Sequence, residues 1–313
     1  MRVLVTGARG FVGRHVVSVL KDKGHVLFTP PHALFDLRNA RDAYSAITSS
    51  EIPDVVIHLA ALVGGIGANI KNPVAFWRDN LLMGINILDA CAMANIKTLV
   101  MVGTTCSYPR TPETIPFIES ELFNGYPEDT NAPYGIAKRT LFVGAQAYAQ
   151  RYGMKVPTLI PTNLYGPGDN CDLETSHVIP AILRKMHEAK VRGRDIVTLW
   201  GSGSASRDFL YVRDAAYAIG LAVEHADLDS GAINLGSGNE CSIRDLALMC
   251  VEVVDYEGGI IWHTGKPDGQ PRRCLDISKA RDRLKWAPTT SLRDGLEATY
   301  AWMRECSQLE SCK

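Results

Sequence analysis

A tyrosine and a lysine, four residues apart, are the first candidates for chemistry in this chain. Tyr134 and Lys138 belong to the segment Tyr134-Gly-Ile-Ala-Lys138, inside a helix that we predict over residues 131–152. This spacing places both side chains on one face of the helix. A phenol has a pKa of about 10 and exchanges protons poorly near neutral pH unless a neighbouring cation stabilises the phenolate. The pair therefore predicts a tyrosine acid–base whose pKa a lysine lowers.

A hydroxyl residue, Thr104, follows a predicted strand at 97–102. Strands of an open α/β sheet present their C-terminal ends to the ligand crevice, so we expect Thr104 beside Tyr134, where it would bond a substrate oxygen. If the strand continues beyond Val102, Thr104 and Cys106 point to the same side. Taken alone, Cys106 is more often a small buried apolar residue, and His177 a satisfied polar one.

A glycine-rich segment, Gly7-Ala-Arg-Gly10-Phe-Val-Gly13, lies between a predicted strand at 2–6 and a predicted helix at 11–23. Glycines there permit a tight turn and a close approach of the backbone to a pyrophosphate, while the helix N-terminus supplies N–H donors. The segment predicts a dinucleotide site formed by Gly7, Arg9, Gly10, Phe11, Val12 and Gly13.

The end of the second predicted strand bears on which dinucleotide binds. Sites for NAD usually place an acid there for the ribose 2′-hydroxyl, but residues 27–31 are Leu-Phe-Thr-Pro-Pro. Arg9 offers a charge-assisted donor for a 2′-phosphate, although no second arginine is evident nearby. These features favour NADP and leave NAD open.

Short β-branched segments alternate with longer helical patterns in the first half of the chain. This alternation is typical of a parallel sheet with crossover helices. We therefore predict an α/β protein with a Rossmann-type, doubly wound parallel sheet in residues 1–165. The predicted strands are 2–6, 25–28, 54–59, 97–102 and 156–161, and the predicted helices are 11–23, 73–95 and 131–152.

The second half, from about residue 166, is richer in polar, glycine- and proline-containing loops. Strands at 197–200 and 259–263 and helices at 277–284 and 292–306 predict a smaller C-terminal α/β substrate domain, 166–313. Segments 212–224 and 233–235 are expected to return to the first domain, so that about 210–236 rejoins it.

Composition excludes several classes of function. The chain has 313 residues, 46% hydrophobic and 21% charged, with a formal net charge of −1. That charge gives no long-range attraction to nucleic acid or an anionic membrane, so arginines and lysines placed at the site must hold any anionic substrate. No stretch approaches the roughly 20 apolar residues of a membrane span, and no signal peptide is evident, so we expect a cytoplasmic protein. The scattered cysteines predict neither a metal site nor a disulfide framework.

Several motifs carry a resemblance to a known family. Gly7–Gly13, Thr104, Tyr134 and Lys138 resemble the extended short-chain dehydrogenase/reductases. A denser set, covering nearly the whole chain, is similar to the GDP-L-fucose synthase family. The motifs in this denser set are Val63-Gly-Gly-Ile66 with Asn69, Cys106-Ser-Tyr-Pro109, Pro161-Thr-Asn-Leu-Tyr-Gly-Pro167 with Asp169-Asn170, Ser176-His-Val-Ile-Pro180, Trp200-Gly-Ser-Gly203, Arg207-Asp-Phe-Leu210 and Lys266-Pro-Asp-Gly-Gln-Pro-Arg-Arg273.

The resemblance implies an NADPH-dependent 3,5-epimerase/4-reductase that acts on a GDP-4-keto-6-deoxyhexose. Protons beside a ketone are acidic, and Cys106 and His177 match the acid–base pair that moves them. Thr104, Tyr134 and Lys138 match the reductive set. The implied cofactor contacts, besides the glycine segment, are Thr105, Lys138, Pro161, Asn163, Leu164 and His177, and the implied substrate contacts are Lys185, Trp200, Arg207, Asp268 and Arg273. A homodimer paired through the long helices is implied too.

Two departures leave the sugar open. Thr104 stands where the family often has serine, and Cys274 where an aliphatic residue is more usual, so a related 4-keto-hexose or heptose is an alternative substrate. A redox-neutral GDP-sugar 3,5-epimerase and a C4 reductase without epimerase activity are alternative enzymes. An NAD(P)-sensing regulatory protein is the alternative of another class, but it would have no use for an activated phenol.

Overall fold

A computed structural model describes residues 1–49, 51–225, 228–266 and 268–308, with the backbone alone at 306–308. Residues 226–227 of the returning segment and Pro267 of the Lys266–Arg273 motif lie outside the described residues. Across the described chain, every helix is too short or too polar to cross a lipid bilayer.

Strands and helices alternate along the first half of the chain, as the sequence predicts. The strands are β1 Arg2–Thr6, β2 Val26–Phe28, β3 Val55–His58, β4 Thr98–Val102, β5 Thr158–Pro161, β6 Asn163–Tyr165, β7 Ile196–Trp200, β8 Ser206–Tyr211, β9 Ala232–Leu235, β10 Glu240–Ser242, β11 Gly259–His263 and β12 Arg272–Arg273. The helices are α1 Phe11–Asp22, α2 Ala40–Thr48, α3 Ile66–Lys71, α4 Pro73–Met93, α5 Ala132–Tyr152, α6 Val178–Val191, α7 Val212–Glu224, α8 Ile243–Val254, α9 Ser278–Leu284 and α10 Leu292–Gln308.

A six-stranded parallel sheet in the order β2-β1-β3-β4-β5-β9 forms the centre of the molecule. Successive residues of a strand point to opposite faces, and both faces are buried here. Val3 and Val5 of β1 pack with α1, α7 and α9, whereas Leu4 packs with α2, α4 and α5. The predicted α/β class and doubly wound parallel sheet are therefore confirmed.

The sheet changes direction at β1, and this creates the crevice where a ligand fits. The chain passes from β1 to β2 on one side and then returns to β3 on the other side of β1. Helices that follow these strands cover opposite faces, so the loops at the C-terminal ends of β1 and β3 separate. Open α/β sheets bind ligands at such a point.

The C-terminal part adds smaller sheets beside this crevice. β8 pairs with β6, β10 and β12, and β7 pairs with β11. Helices α6, α8 and α10 cover these strands through a core that includes Tyr165, Phe209 and Leu246. β9 pairs with β5, and α7 packs on α1. The division at residue 166 stays a prediction, and the pairing of β9 supports a returning segment.

Four helices and four strands were absent from the sequence prediction: α2, α3, α6 and α8, and β6, β8, β10 and β12. Helix α6 has the spacing of an amphipathic helix, because Ile179, Ile182, Leu183 and Met186 are buried on one side. Helix α2 has a start signal in Asn39, whose side chain accepts hydrogen bonds from the backbone N–H of Arg41 and Asp42. These patterns were available in the sequence, whereas β8 depends on partners distant in the chain.

Candidate active site

A cavity of about 850 Å³ opens at the C-terminal ends of β1, β3 and β4 and extends to the C-terminal strands. Every residue that the sequence analysis assigned to catalysis, cofactor binding or substrate binding lines this cavity. The predicted residues come from both halves of the chain, so the fold unites them in one place.

The glycine segment forms the dinucleotide end of the cavity. Gly7 has a φ of +67°, and a Cβ there would lie 2.7 Å from the backbone nitrogen of Ala60, after β3. A Cβ on Gly13 would lie 2.1 Å from the Gly7 carbonyl oxygen. Any larger residue would separate the turn from the sheet or from α1. The uncovered N-terminus of α1 can donate to a pyrophosphate, so this cradle fits a dinucleotide.

A second arginine lines the same cavity as Arg9, contrary to the sequence analysis. Arg38 lines the cavity near the end of β2, together with Thr29, Pro30 and Pro31. Its guanidinium Nη2 donates to Asp36 Oδ2 at 2.6 Å. This interaction lowers the pKa of the Asp36 carboxyl to about 2. Arg38 was not predicted as a cofactor contact because it follows the strand by ten residues, and the loop folds back to the cavity.

Thr104 and Cys106 are presented by a tight turn and not by a continued strand. β4 ends at Val102, Thr104 stays extended, and Thr105–Ser107 forms a 3₁₀ turn. The backbone N–H of Cys106 donates to Thr104 Oγ1 at 3.2 Å. The expectation that strand geometry continues to Cys106 was therefore wrong, because the threonine side chain caps a turn.

Tyr134 reaches this turn from the first part of α5. Its ring is buried and meets Phe76 edge-on, with 6.2 Å between ring centroids. Burial raises the pKa of the phenol above its ordinary value, a negatively charged Cys106 acts in the same direction, and a hydrogen bond with Thr104 opposes both. The predicted lowering of this pKa by Lys138 was wrong for the structure as it stands, because desolvation is the largest influence.

Lys138 lies one turn further along α5 and is also buried. Its ammonium donates to the carbonyl oxygen of Val102 at 3.0 Å, at the end of β4. Desolvation lowers its pKa to about 8. A group with this pKa holds or releases a proton close to neutral pH, which suits a relay beside an acid–base tyrosine.

His177 stands immediately before α6, where its side chain is accessible from the cavity but surrounded by the protein that forms the cavity walls. Desolvation by the surrounding protein lowers the pKa of its imidazole below the usual value, so the ring is neutral near pH 7. The Val63–Ile66 motif packs against this segment, because a Cβ on Gly65 would lie 2.8 Å from the Ser176 carbonyl oxygen. This close approach accounts for glycine in the motif.

Two arginines stand side by side at the far end of the cavity. Arg207 on β8 pairs in register with Arg273 on β12. Burial and the charge of Arg273 lower the pKa of Arg207 to about 10. The Asp268 carboxylate accepts bonds from Ser202 N at 2.7 Å and Ser202 Oγ at 2.9 Å, while its carbonyl oxygen accepts one from Arg207 at 3.0 Å. Asp268 therefore orders the loop and its arginine.

An exposed indole marks the outer end of the same wall. The ammonium of Lys185 lies 5.9 Å from the ring centroid of Trp200, and that of Lys266 lies 5.0 Å from it. The aromatic face and the two cations together suit a planar, anionic ligand such as a nucleotide. Among the residues that the structure describes, no cluster of three His, Cys, Asp or Glu side chains is arranged to hold a metal ion.

Comparison with known proteins gives the family. The model of the NAD dependent epimerase/dehydratase family matches residues 3–236. This chain belongs to that family. GDP-L-fucose synthase 1 of Arabidopsis thaliana is 42% identical over 304 residues, covering 96% of this chain and 92% of that protein. The predicted family resemblance and enzyme class are confirmed.

Solved structures of GDP-sugar enzymes resemble this epimerase-family chain over nearly its whole length. A GDP-6-OMe-4-keto-L-xylo-heptose reductase from C. jejuni has a TM-score of 0.90 at 26% identity, covering 97% of both chains. A GDP-L-fucose synthetase from Naegleria fowleri bound to NADP has a TM-score of 0.88 at 28% identity, covering 98% of this chain and 95% of that one.

Two polar side chains of the cavity with a role in the proposals below were not assigned by the sequence analysis of this family member. Arg38 is one, and Gln270, which bonds Arg273, is the other. Gln270 stands inside a motif quoted from the sequence, so the signal was its neighbourhood and not its type. The glutamine side chain is uncharged, so its residue type alone did not indicate a role beside Arg273.

Proposed function

We propose that this chain is an NADPH-dependent 3,5-epimerase/4-reductase of a GDP-4-keto-6-deoxyhexose. The observation that carries the proposal is one cavity wall that holds Thr104, Tyr134 and Lys138 next to Cys106. The first three suit reduction of a ketone, whereas Cys106 with His177 suits proton transfer at the neighbouring carbons. The similarity to relatives named GDP-L-fucose synthases supports the same activity.

Reduction at C4 needs a hydride and a proton. Bound in the glycine cradle, NADPH supplies the hydride. Tyr134 gives the proton to the C4 oxygen, Thr104 holds that oxygen by a hydrogen bond, and Lys138 replaces the proton on Tyr134. Thr105, Pro161, Asn163 and Leu164 line the cavity, and we assign them to the cofactor.

The choice of NADPH rests on charge at the end of β2. No acidic residue ends that strand, Arg9 is exposed, and both Arg9 and Arg38 line the cavity. Guanidinium groups bind a 2′-phosphate by charge-assisted hydrogen bonds. The NADP-bound neighbour from Naegleria fowleri supports this choice.

Epimerisation at C3 and C5 needs a base and an acid on opposite faces of the sugar. Cys106 takes a proton from the carbon beside the ketone, and the electron pair of that C–H bond moves to the C4 oxygen. His177 takes part as the second member of the pair and returns a proton to carbon. Arg207, Lys185 and Trp200 hold the nucleotide.

The proposal also covers the oligomeric state and the ligand that each part of the chain binds. The chain works in the cytoplasm as a homodimer paired through α4 and α5, whose outer faces carry exposed apolar residues such as Ile85 and Val143. Residues 1–165 with about 210–236 bind the dinucleotide, and the remainder of 166–313 binds the sugar nucleotide. A GDP-sugar is the partner, and neither nucleic acid nor membrane is part of the activity.

A C4 reductase without epimerase activity is the second candidate. The likeness to the heptose reductase from C. jejuni favours it. A redox-neutral 3,5-epimerase would keep its nicotinamide and consume no NADPH, and a regulatory NAD(P) sensor would turn over neither substrate.

One experiment separates these candidates. The enzyme is incubated in D₂O with GDP-4-keto-6-deoxymannose, first without and then with NADPH, beside UDP- and dTDP-linked counterparts. We expect deuterium at C3 and C5 without NADPH, and an oxidised cofactor with a reduced C4 once NADPH is added. Reduction without any exchange would establish the simple reductase, and exchange without NADPH oxidation would establish the neutral epimerase.

A further inference from the structure

The guanidinium of Arg273 reaches the sulfur of Cys106. Its Nη1 donates to Cys106 Sγ at 3.7 Å, within the range of a hydrogen bond to sulfur. The arginine side chain is buried, with the residue 7% exposed, and Cys106 is half-buried on the cavity wall. This contact between a buried cation and a thiol bears on reactivity, because the thiol becomes an anionic thiolate when it loses its proton.

A buried glutamine fixes the direction of this guanidinium. Arg273 Nε donates to Gln270 Oε1 at 3.0 Å. Gln270 Nε2 in turn donates to the carbonyl oxygens of Pro109 at 3.2 Å and Arg110 at 2.9 Å, a few residues beyond Cys106. Gln270 and Arg273 are therefore both bonded to the segment that carries Cys106, and these bonds hold the guanidinium of Arg273 against the sulfur.

No carboxylate forms an ion pair or a hydrogen bond with the Arg273 side chain in the described part of the chain. The side-chain partners of Arg273 there are Gln270 and Cys106. The neighbouring Arg207 is a second cation, and it donates to the carbonyl oxygens of Ser206 at 2.7 Å and Asp268 at 3.0 Å. It therefore adds to the positive charge beside the sulfur. A buried charge is costly unless an opposite charge lies close to it.

We propose that Arg273 is the counter-ion of a Cys106 thiolate and thereby keeps the epimerisation base in its active form. Opposite charges within about 4–6 Å of a titrating group favour its charged form. This role differs from the substrate contact that the sequence resemblance implies. Its consequence for catalysis rests on the proposed function, but the thiolate itself does not.

The chemistry follows from the charge state. A thiolate removes a proton from the carbon beside the ketone: the C–H bond breaks, an S–H bond forms, and the electron pair passes to the C4 oxygen. Three charged or titratable groups of the described chain interact with the sulfur: Arg273 from β12, Arg207 from β8 and Tyr134 from α5. Arg273 alone among them contacts it, so it is a positioning residue that acts through Cys106.

Alkylation of the free enzyme tests the proposal without any substrate. The rate at which iodoacetamide labels Cys106 is followed from pH 5 to pH 9 by peptide mass spectrometry, with Cys106→Ala as the blank. Arg273→Gln should move the midpoint upward by about 1 pH unit or more, which is about a tenfold slower reaction at pH 7. Arg273→Lys keeps the charge and should restore most of the rate.

Matched variants exclude a merely structural effect. Arg207→Gln removes a neighbouring cation that does not touch the sulfur, and it should move the midpoint less than Arg273→Gln. Gln270→Ala releases the guanidinium and should give a smaller upward movement, which keeps the test available if Arg273→Gln folds poorly. An unchanged midpoint in folded Arg273→Gln, or in Gln270→Ala where only that variant folds, would overturn the proposal.

Deuterium exchange separates this inference from the proposed function. If wild-type enzyme shows the alkylation behaviour expected but no exchange at C3 or C5, the thiolate stands and the epimerase activity falls. If wild type exchanges both positions and Arg273→Gln leaves the alkylation midpoint unchanged, the activity stands and the role of Arg273 falls.

Discussion

The phenol of Tyr134 illustrates how single residues are set in this site. It lies buried against Phe76, and burial raises its pKa, so it is fully protonated near neutral pH. A protonated phenol beside Thr104 is ready to give a proton to a ketone oxygen that is becoming an alkoxide. Lys138, with a pKa of about 8, is placed one turn away to replace that proton.

Tyr134→Phe should lower the rate of C4 reduction by about two to four orders of magnitude, the usual contribution of a positioned proton donor. The remaining ring keeps its contact with Phe76, so the free energy of unfolding and the dissociation constant for NADPH should change little. Stopped-flow NADPH oxidation measures the rate, and NADPH fluorescence measures binding.

Exchange at C3 and C5 is the control for this variant. Deuterium uptake should survive in Tyr134→Phe, because the carbon acids are served by Cys106 and not by the phenol. A variant that reduced the ketone at the wild-type rate would remove Tyr134 from the mechanism.

At the scale of elements, α5 is pressed against the turn that carries Cys106. A Cβ on Gly135 would lie 2.1 Å from the Cys106 carbonyl oxygen, which is backbone and cannot turn aside. Gly144 lies further along the same helix, where a Cβ would meet only the Leu88 side chain at 3.3 Å. The two glycines thus have the same helical setting and different surroundings.

Gly135→Ala should destabilise the protein by about 1–3 kcal/mol, the usual cost of overpacking, and should slow both half-reactions by displacing the turn. Gly144→Ala is the matched control. It should be neutral or stabilising by up to about 1 kcal/mol, because alanine favours a helix over glycine. Denaturant unfolding measures both. Equal free energies of unfolding for the two variants would show that the Cys106 turn moves away from α5 at no cost.

The loop after β6 contains a carboxyl that is buried without a full set of partners. Asp169 Oδ1 accepts from the N–H of Asn170 at 2.7 Å, while Oδ2 has no partner in the described structure. Burial raises the pKa of this carboxyl to about 7, against about 4 in an unfolded chain. Between pH 4 and pH 7 the folded state binds more protons at Asp169 than the unfolded state does. The contribution of the Asp169 carboxyl to the free energy of unfolding is therefore complete below about pH 4 and is lost as the pH rises to 7.

Asp169→Asn should therefore be more stable relative to wild type at pH 8 than at pH 4.5. Asp172→Asn, in the same loop, is the control of opposite sign, because bonds from Thr175 and the backbone lower the pKa of Asp172. Its loss should matter less as the pH falls. Denaturant unfolding across this range measures both differences, and a flat difference for Asp169→Asn would contradict the raised pKa.

Local pattern predicted some of these elements and could not predict others. β1 and the glycine turn were predicted because strand, turn and helix are adjacent in sequence, and each has its own signal. The Thr105–Ser107 turn was not, because the Thr104 side chain caps it and α5, distant in the sequence, packs against it at Gly135. The raised pKa of Tyr134 was also missed, since spacing along one helix reports a neighbouring lysine but says nothing about burial.

At the scale of the whole molecule, the active cavity exists only because distant segments meet. β8 pairs with β6, β10 and β12, and those pairings bring Arg207 and Arg273 together opposite the turn that follows β4. The sequence motifs named these residues, but neither spacing nor composition indicated that Arg273 would face Cys106. Only the tertiary fold specifies that contact.

The outer faces of α4 and α5 provide the prediction for the assembly. These two long helices pack on each other, yet Ile85 of α4 and Val143 of α5 are 43% and 49% exposed. Apolar side chains gain from burial against a second copy, so wild type should sediment at about twice the mass of one chain. Ile85→Glu with Val143→Glu should sediment as one chain, because two charges per copy would be buried. Leu248→Glu on α8 changes an equally exposed residue away from these helices, and it should stay dimeric. A double variant that kept the wild-type sedimentation coefficient would place the contact elsewhere on the molecule.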